Sequence, residues 1–385
     1  MGFYLGIAWI LGVAGVLSSL ARRHIPLLSA IMICLFWAVA ALRYDTGFDW
    51  LVYKNYFNQF LGIPPVGSDI VPMEPLYRLL NIIVAAVFAH FQMIFLIVAT
   101  FNVWVATRII RNTRANVLFC LFFYFCMIYL PLQMGVLRQS IAVSLVLLAM
   151  LSASSQRKFS ASVFFALAIG FQYSSLMYLP VFWRRATELI SRKMPVFLLV
   201  VVAFYAAGVG FASIVIFILS HVPVSFISEK IAIYAQAGLA PRSLTSGAYF
   251  AVNCCILFWV NRGIAKRTVL QDYLLGSLIL LVILQGLFFD FPLLWNRVQY
   301  LAVLPQSILL STTISGKGFV TRLTALSALF VFAIVSLTYQ LISPISPYIP
   351  YYSYIEYLMT GDPGTGMERT LSYYREVGSP GQASQ

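Results

Sequence analysis

The chain has 385 residues, 61% of them hydrophobic and only 10% charged, with a mean hydropathy of +0.89. That composition belongs in a lipid bilayer and excludes an ordinary soluble domain. The net charge of +13 comes with no basic tail, RNP-like aromatic set or zinc-finger spacing, so nucleic acid is set aside as a partner.

Apolar runs recur at 3–20, 25–42, 91–106, 116–130, 135–153, 159–171, 174–183, 195–219, 247–260, 269–289, 296–313 and 323–342. Since about 20 apolar residues cross the hydrocarbon, they predict an all-α polytopic membrane protein of about 12 transmembrane helices. The first run is followed by Arg22 and Arg23 and by no small-residue cleavage site, so it is expected to remain as a span. Two stretches need more than simple spans. Residues 76–106 are too long for one crossing, which predicts a short interfacial helix over 76–88 before a span from Phe91. Residues 159–183 form two short halves around Gln172 and Tyr173, either thin spans or a re-entrant-like helix pair.

Most of the 25 basic residues fall in alternate connections: Arg22 and Arg23; Arg108, Arg111 and Arg114; Arg157 and Lys158; Arg184, Arg185, Arg192 and Lys193; Arg262, Lys266 and Arg267; Lys317 and Arg322. Only Glu188 and Asp272 oppose them there. The positive-inside bias makes these connections cytoplasmic, with both termini extracytoplasmic and the basic excess facing anionic lipid. The five cysteines lie in apolar runs without metal-ligand spacing and imply no disulfide frame.

No internal repeat is visible, so residues 1–343 read as one polytopic membrane domain. Residues 344–385 begin with Pro344, Pro347 and Pro350 among Tyr348, Tyr351, Tyr352, Tyr354 and Tyr357. Prolines stop a membrane helix and tyrosines suit the headgroup layer, which predicts an extracytoplasmic strap and then a disordered tail from about Gly361. The tyrosines serve either as an aromatic belt or as a sugar-stacking surface. The connections at 43–75, 222–246 and beyond 343 are long, which places chemistry on the outer face.

Arg43, Asp45, Gly47, Asp49 and Tyr53 follow the second run. A helix starting after Gly47 would align Asp49 with Tyr53, and a carboxylate beside an arginine suits removal of a hydroxyl proton next to an anionic leaving group. The plainer reading is that Asp49 caps the helix and Arg43 snorkels to the surface. Glu74 and Pro75 open the next helix, where Glu74 is either catalytic or a local ion-pair partner of Arg78. Arg138 and Gln139 enter a run that is otherwise apolar, and Arg297 and Tyr300 lie similarly in the eleventh. Arg43, Arg78, Arg138 and Arg297 together suggest a shared anion, with pyrophosphate matching best because guanidinium forks hold phosphate oxygens bidentately. Arg-to-Asp pairs that merely stabilise a bundle are the alternative. His24, His90 and His221 lack nucleophile partners and read as polar packing, while Gly208 and Gly210 read as helix packing. Asp45 and Asp49 would suit a divalent metal, but four arginines make it unnecessary, so no metal or cofactor is expected.

These segments resemble the EpsG family of bacterial polysaccharide polymerases, relatives of Wzy-type O-antigen polymerases. The resemblance is carried by 43–53, 74–77, 137–142, 171–176 with Leu179-Pro180, 297–300 and 350–354. It implies a metal-independent, inverting membrane glycosyltransferase that joins undecaprenyl-pyrophosphate-linked repeat units on the outer face of the bacterial plasma membrane, for exopolysaccharide, capsule or O-antigen. In that reading Asp49, with Asp45 and Glu74 as alternates, is the base; Arg43, Arg78, Arg138 and Arg297 hold the pyrophosphate; and Tyr53, Gln139, Gln172 and Tyr300 meet substrate. The family usually has histidine at Gln172, so a base at that position is not carried over. The partners implied are lipid-linked oligosaccharides and membrane lipid, with a chain-length regulator left open. A flippase for lipid-linked sugars, an O-acetyltransferase and a scaffold are the rival classes.

Overall fold

The computed structural model describes residues 1–21, 25–67, 71–208, 210–211, 243–342 and 346–377. They are helical, with no strand among them beyond one isolated antiparallel bridge between Arg43 and Ser353. In chain order the helices are α1 (Gly2–Ala21), α2 (Pro26–Ala41), α3 (Trp50–Asn58), α4 (Pro75–Phe88), α5 (Gln92–Asn112), α6 (Val117–Tyr124), α7 (Leu137–Ser154) and α8 (Lys158–Phe171). Then come α9 (Arg184–Arg192), α10 (Met194–Ala207), α11 (Leu244–Gly263), α12 (Val269–Leu287), α13 (Pro292–Ser315), α14 (Phe319–Leu341), α15 (Tyr354–Thr360) and α16 (Gly366–Val377).

Among the described residues 7 helices are long and apolar enough to cross a membrane, or 8 if α9 and α10, bent by 92°, form one span. The protein is therefore a membrane protein. The sequence expectation of about twelve crossings exceeds this, because α2, α4 and α8 are shorter apolar helices. The expected outer connection at 222–246 lies almost wholly outside the described residues, as do His24 and His221. The expected break near Gln172 is present: α8 ends there in extended backbone, φ −156° and ψ 112°, before a 3-10 helix over Tyr173–Phe182. The short helix before Phe91 is also present, as α4. Tyr77, Asn81, Val84 and Ala85 are its buried face, while Leu79, Ile82, Ile83 and Val87 are exposed as a lipid-facing stripe.

The chain divides into two compact units, Met1–Ser175 with Ser311–Gly381, and Leu176–Leu310 with Gln382–Gln385. At the centre of the first unit lies α6 with its continuation Phe125–Gly135, a π-helix containing Pro131 and buried on nearly every side. A segment apolar all round belongs inside a bundle, and Gly15 of α1 lets that helix approach the Phe119 backbone closely. A π-helix and a proline leave backbone groups poorly matched, and the protein must supply partners where water cannot. Gln340 of α14 does so, donating to the Cys126 carbonyl at 2.9 Å. Asn102 of α5 donates to Gln133 and Ser140, each at 2.9 Å, accepts from Ser144 at 2.8 Å, and Gln133 donates to Tyr124 at 2.7 Å.

In the second unit Asp272 receives Arg184 at 3.0 Å and Arg267 at 3.1 Å, and Arg267 also donates to Ser191 at 2.6 Å. Asp272 thus clasps α9 to α12 among the basic residues of that end. Gly208 takes a left-handed φ of 74° and terminates α10, so it is a helix stop and not the packing glycine expected. His90 is not isolated either: its Nε2 lies 3.0 Å from the Tyr354 hydroxyl. The five cysteines are free.

The tail departs most from expectation. Past Gly361, where disorder was expected, α16 folds within the first unit. Trp50 donates its indole N–H to Thr370 at 2.7 Å, Tyr374 donates to the Phe48 carbonyl at 3.3 Å, and Leu371 packs at Gly67. Thr370→Val removes the acceptor of a buried indole and should cost about 1–3 kcal/mol. Limited proteolysis of the detergent-purified protein should then cut between α15 and α16 faster than in wild type.

Candidate functional site in the first unit

The site begins where the chain leaves α2. The Arg43–Ser353 bridge is flanked by amide hydrogen bonds from Tyr44 to Tyr352 O, 2.9 Å, and from Tyr354 to Leu42 O, 2.6 Å. The chain then turns through Asp45 at φ 41° and Gly47 at φ 121°. Gly47 is required: its φ suits only glycine, and a Cβ there would overlap the Met134 carbonyl. The turn delivers Asp49 to the N-cap of α3, yet its carboxylate makes no capping hydrogen bond. The capping explanation for Asp49 is therefore not met.

Asp49 is half-buried, and its charge acts on Tyr53, Tyr373 and Tyr374. Burial pushes Tyr53 up to about 12, Arg138 opposing and Asp49 adding to the rise, so its phenol is neutral at ordinary pH. Asp45 has a partner of its own in Lys54, at 3.3 Å. Burial raises the Asp45 carboxyl, and Lys54 works against that rise.

Glu74 precedes α4, with Pro75 at the first helical position. Its carboxylate pairs with Arg138, not with Arg78 as local spacing allowed. Arg138, in the first turn of α7, also lies 5.9 Å from the Tyr53 ring centroid. Tyr53 and Tyr77 have ring centroids 5.5 Å apart, Tyr56 and Tyr77 6.3 Å. Three of the expected arginines act on this tyrosine trio: Arg78 and Arg138 on Tyr56, and Arg138 and Arg43 on Tyr77. Their exposures differ, Arg78 being exposed, Arg138 partly covered and Arg43 wholly enclosed at 0%.

Arg43 stacks on Phe95 at 4.0 Å, and among the described residues none of its side-chain nitrogens has a hydrogen-bond partner. Snorkelling is thus excluded for it. Burial pushes it down to about 10, which leaves the guanidinium charged at neutral pH.

Gln139 is fully buried and accepts from Ser174 at 2.9 Å. Gly170 of α8 packs against Leu76, which brings the break at Gln172 alongside the start of α4. Gln172 is also buried. Arg297 and Tyr300 stand on α13 in the second unit, where Tyr178 donates to the Arg297 carbonyl at 2.6 Å. The expected set is accordingly divided between the units. Sequence reasoning missed Arg369, Tyr373 and Tyr374 of α16; the four-residue spacing of Thr370 and Tyr374 was the available signal.

The Glu74–Arg138 pair makes a direct test. Glu74→Gln alone leaves a largely buried guanidinium without its acid and should cost about 3 kcal/mol, whereas Glu74→Gln with Arg138→Met should recover most of that loss. Thermal midpoints in detergent check both.

A family model described as EpsG family matches residues 27–355 of the chain. No curated protein matches it. No solved structure matches it.

Proposed function

Since the chain belongs to the EpsG family, whose role is polysaccharide-biosynthesis polymerisation, we propose that it joins lipid-linked oligosaccharide repeat units on the outer face of the bacterial plasma membrane, both termini lying on that side. The growing glycan is carried on undecaprenyl pyrophosphate. A hydroxyl at the non-reducing end of an incoming unit attacks the anomeric carbon of that glycan. The new C–O bond forms as the bond to the diphosphate breaks, and its electron pair leaves on the diphosphate oxygen. Asp49 takes the hydroxyl proton, and attack opposite the leaving group inverts the anomeric centre.

The observation that carries this reading is that Asp49 and Arg138 act on the same phenol, Tyr53. A carboxylate and a guanidinium that both act on one phenol suit a step that removes a proton beside growing negative charge. Asp49 is the base because its charge and Arg138 act on one phenol; Lys54 pairs Asp45, and Glu74 is the residue that aims Arg138. Arg78 and Arg138 meet the pyrophosphate first, joined by Arg43. Gln139 and Gln172 position sugar or phosphate. Exopolysaccharide, capsule and O-antigen synthesis all use such a product.

The test uses purified protein supplied with lipid-linked repeat units. Asp49→Asn should reduce long-glycan formation by about 100-fold or more, and Arg138→Lys, which keeps charge but loses the fork, by about tenfold or more. Lipid transport across vesicles should be unchanged in Asp49→Asn. Undiminished polymer from that variant removes Asp49 as the base, and lost transport would favour a flippase.

A further inference from the structure

Arg43 and Arg369 are guanidinia that no carboxylate pairs among the described residues. Arg43 is fully enclosed with none of its nitrogens bonded. Arg369 uses backbone carbonyls only, Pro350 O at 2.8 Å and Asp45 O at 3.1 Å, and its Nε has no partner. Both charges act on the Tyr4 phenol, which itself donates to Tyr348 O at 2.9 Å. Arg43 Nη1 lies beside Gly47, two residues from the Asp45 carbonyl that Arg369 bonds, so both cations sit at the 43–47 turn. The hydroxyls that face Arg43 are Tyr129, Tyr348, Tyr4 and Tyr351, neutral groups that offer no counter-charge. A desolvated cation without an anion is costly and persists in membrane proteins where it has a use.

Residues 346–353 lie against both cations. Tyr348 and Tyr351 face Arg43, and the Pro350 carbonyl receives Arg369. The segment carries no helix and is held by Tyr44 N–H to Tyr352 O, Gly47 N–H to Pro347 O at 3.0 Å, Tyr354 N–H to Leu42 O, Tyr351 O–H to Val39 O at 3.2 Å, the Tyr4 and Arg369 bonds to Tyr348 O and Pro350 O, and a Tyr351–Phe3 stack at 4.3 Å. Its displacement would break these contacts and uncover the Arg43 fork while leaving the hydrogen bonds within the helices intact.

We propose that Arg43 and Arg369 form a phosphate-binding site covered by the strap 346–353, which opens to admit the phosphate end of a ligand. Two guanidinia match a dianion such as a phosphate monoester or a diphosphate better than a single carboxylate, and each fork holds phosphate oxygens bidentately. That the phosphate is borne by a prenyl lipid rests on the glycan reading above; the demand for an anion does not. Arg369 lies outside the matched residues 27–355, so this site takes a residue from the chain's own tail.

The test is hydrogen–deuterium exchange on the full chain in phosphatidylcholine nanodiscs, with inorganic pyrophosphate in one arm and polyprenyl phosphate in the lipid in the other. Either probe should speed exchange of the Tyr44, Gly47 and Tyr354 amides at least fivefold, and the arm that does so identifies the source as free or lipid-borne. Arg369→Leu should weaken the response at least tenfold in probe concentration. Arg43→Met should abolish it while raising the thermal midpoint, because an apolar side chain replaces an unpaired buried charge. Unchanged exchange with both probes, or a lowered midpoint in Arg43→Met, overturns the proposal. Polymer formation is assayed in the same preparation: polymer without a strap response sinks this site alone, and a strap response without polymer sinks the polymerase reading alone.

Discussion

The pairing of Arg138 with Glu74 connects the first turn of α7 to the residue that opens α4, and the arrangement of the site follows from that tie. Helix α4 is 14 residues long, too short to cross the hydrocarbon, and half its surface faces lipid. Without a fixed start it would slide along the bundle. The ion pair pins its N-terminal end, and Tyr77 then lies against Tyr53 and Tyr56 of α3, the helix that Asp49 precedes. Arg138 is thus both a tie and a cation that acts on the same phenol as the candidate base, with Glu74 limiting its rotation. A lysine there would keep the charge and lose the planar fork that fixes direction.

Deeper in the first unit the same low-dielectric rule operates on neutral groups. Asn102, Gln133, Tyr124, Ser140 and Ser144 form a network in which Asn102 has both its amide nitrogen and its oxygen bonded. This network joins α5, α7 and the π-helix, and Gln340 adds α14. Such cross-links hold a bundle in register where apolar packing alone does not discriminate between helix positions, because lipid and leucine are equally apolar. The second unit repeats the device with Asn253, which donates to Gln285 at 2.9 Å and accepts from Gln306 at 3.0 Å.

How legible this was in the sequence depends on the range of the interaction. The apolar runs, the start of α4 at Glu74-Pro75 and the break at Gln172 are local signals, set by proline chemistry and by the length of chain that spans a bilayer. Partner choice is different. Glu74 had Arg78 four residues away, yet it pairs with Arg138, 64 positions distant, because in a membrane the partly covered guanidinium needs the acid more than the exposed one does. Asp45 likewise went to Lys54, and no spacing rule separates that choice from a pairing with Asp49. The tail was misjudged for the same reason: glycine, proline and charge read as disorder, while the contacts that order α16 come from residues some 320 positions upstream, such as Trp50.

The charged side chains of the first-unit site, Asp49, Glu74, Arg78 and Arg138, all lie within the residues the family match covers, whereas Thr370, which anchors α16, and Tyr373 and Tyr374, on which the Asp49 charge acts, lie beyond it. Tyr373 and Tyr374 are pushed up first by burial and then by the Asp49 charge, so both stay protonated beside it. Two protonated phenols of α16 thus act electrostatically with the candidate base. The tail is therefore part of the electrostatics of the site, and the strap that joins it to α14 passes directly over Arg43, so that movement of one element changes the surroundings of both charges together.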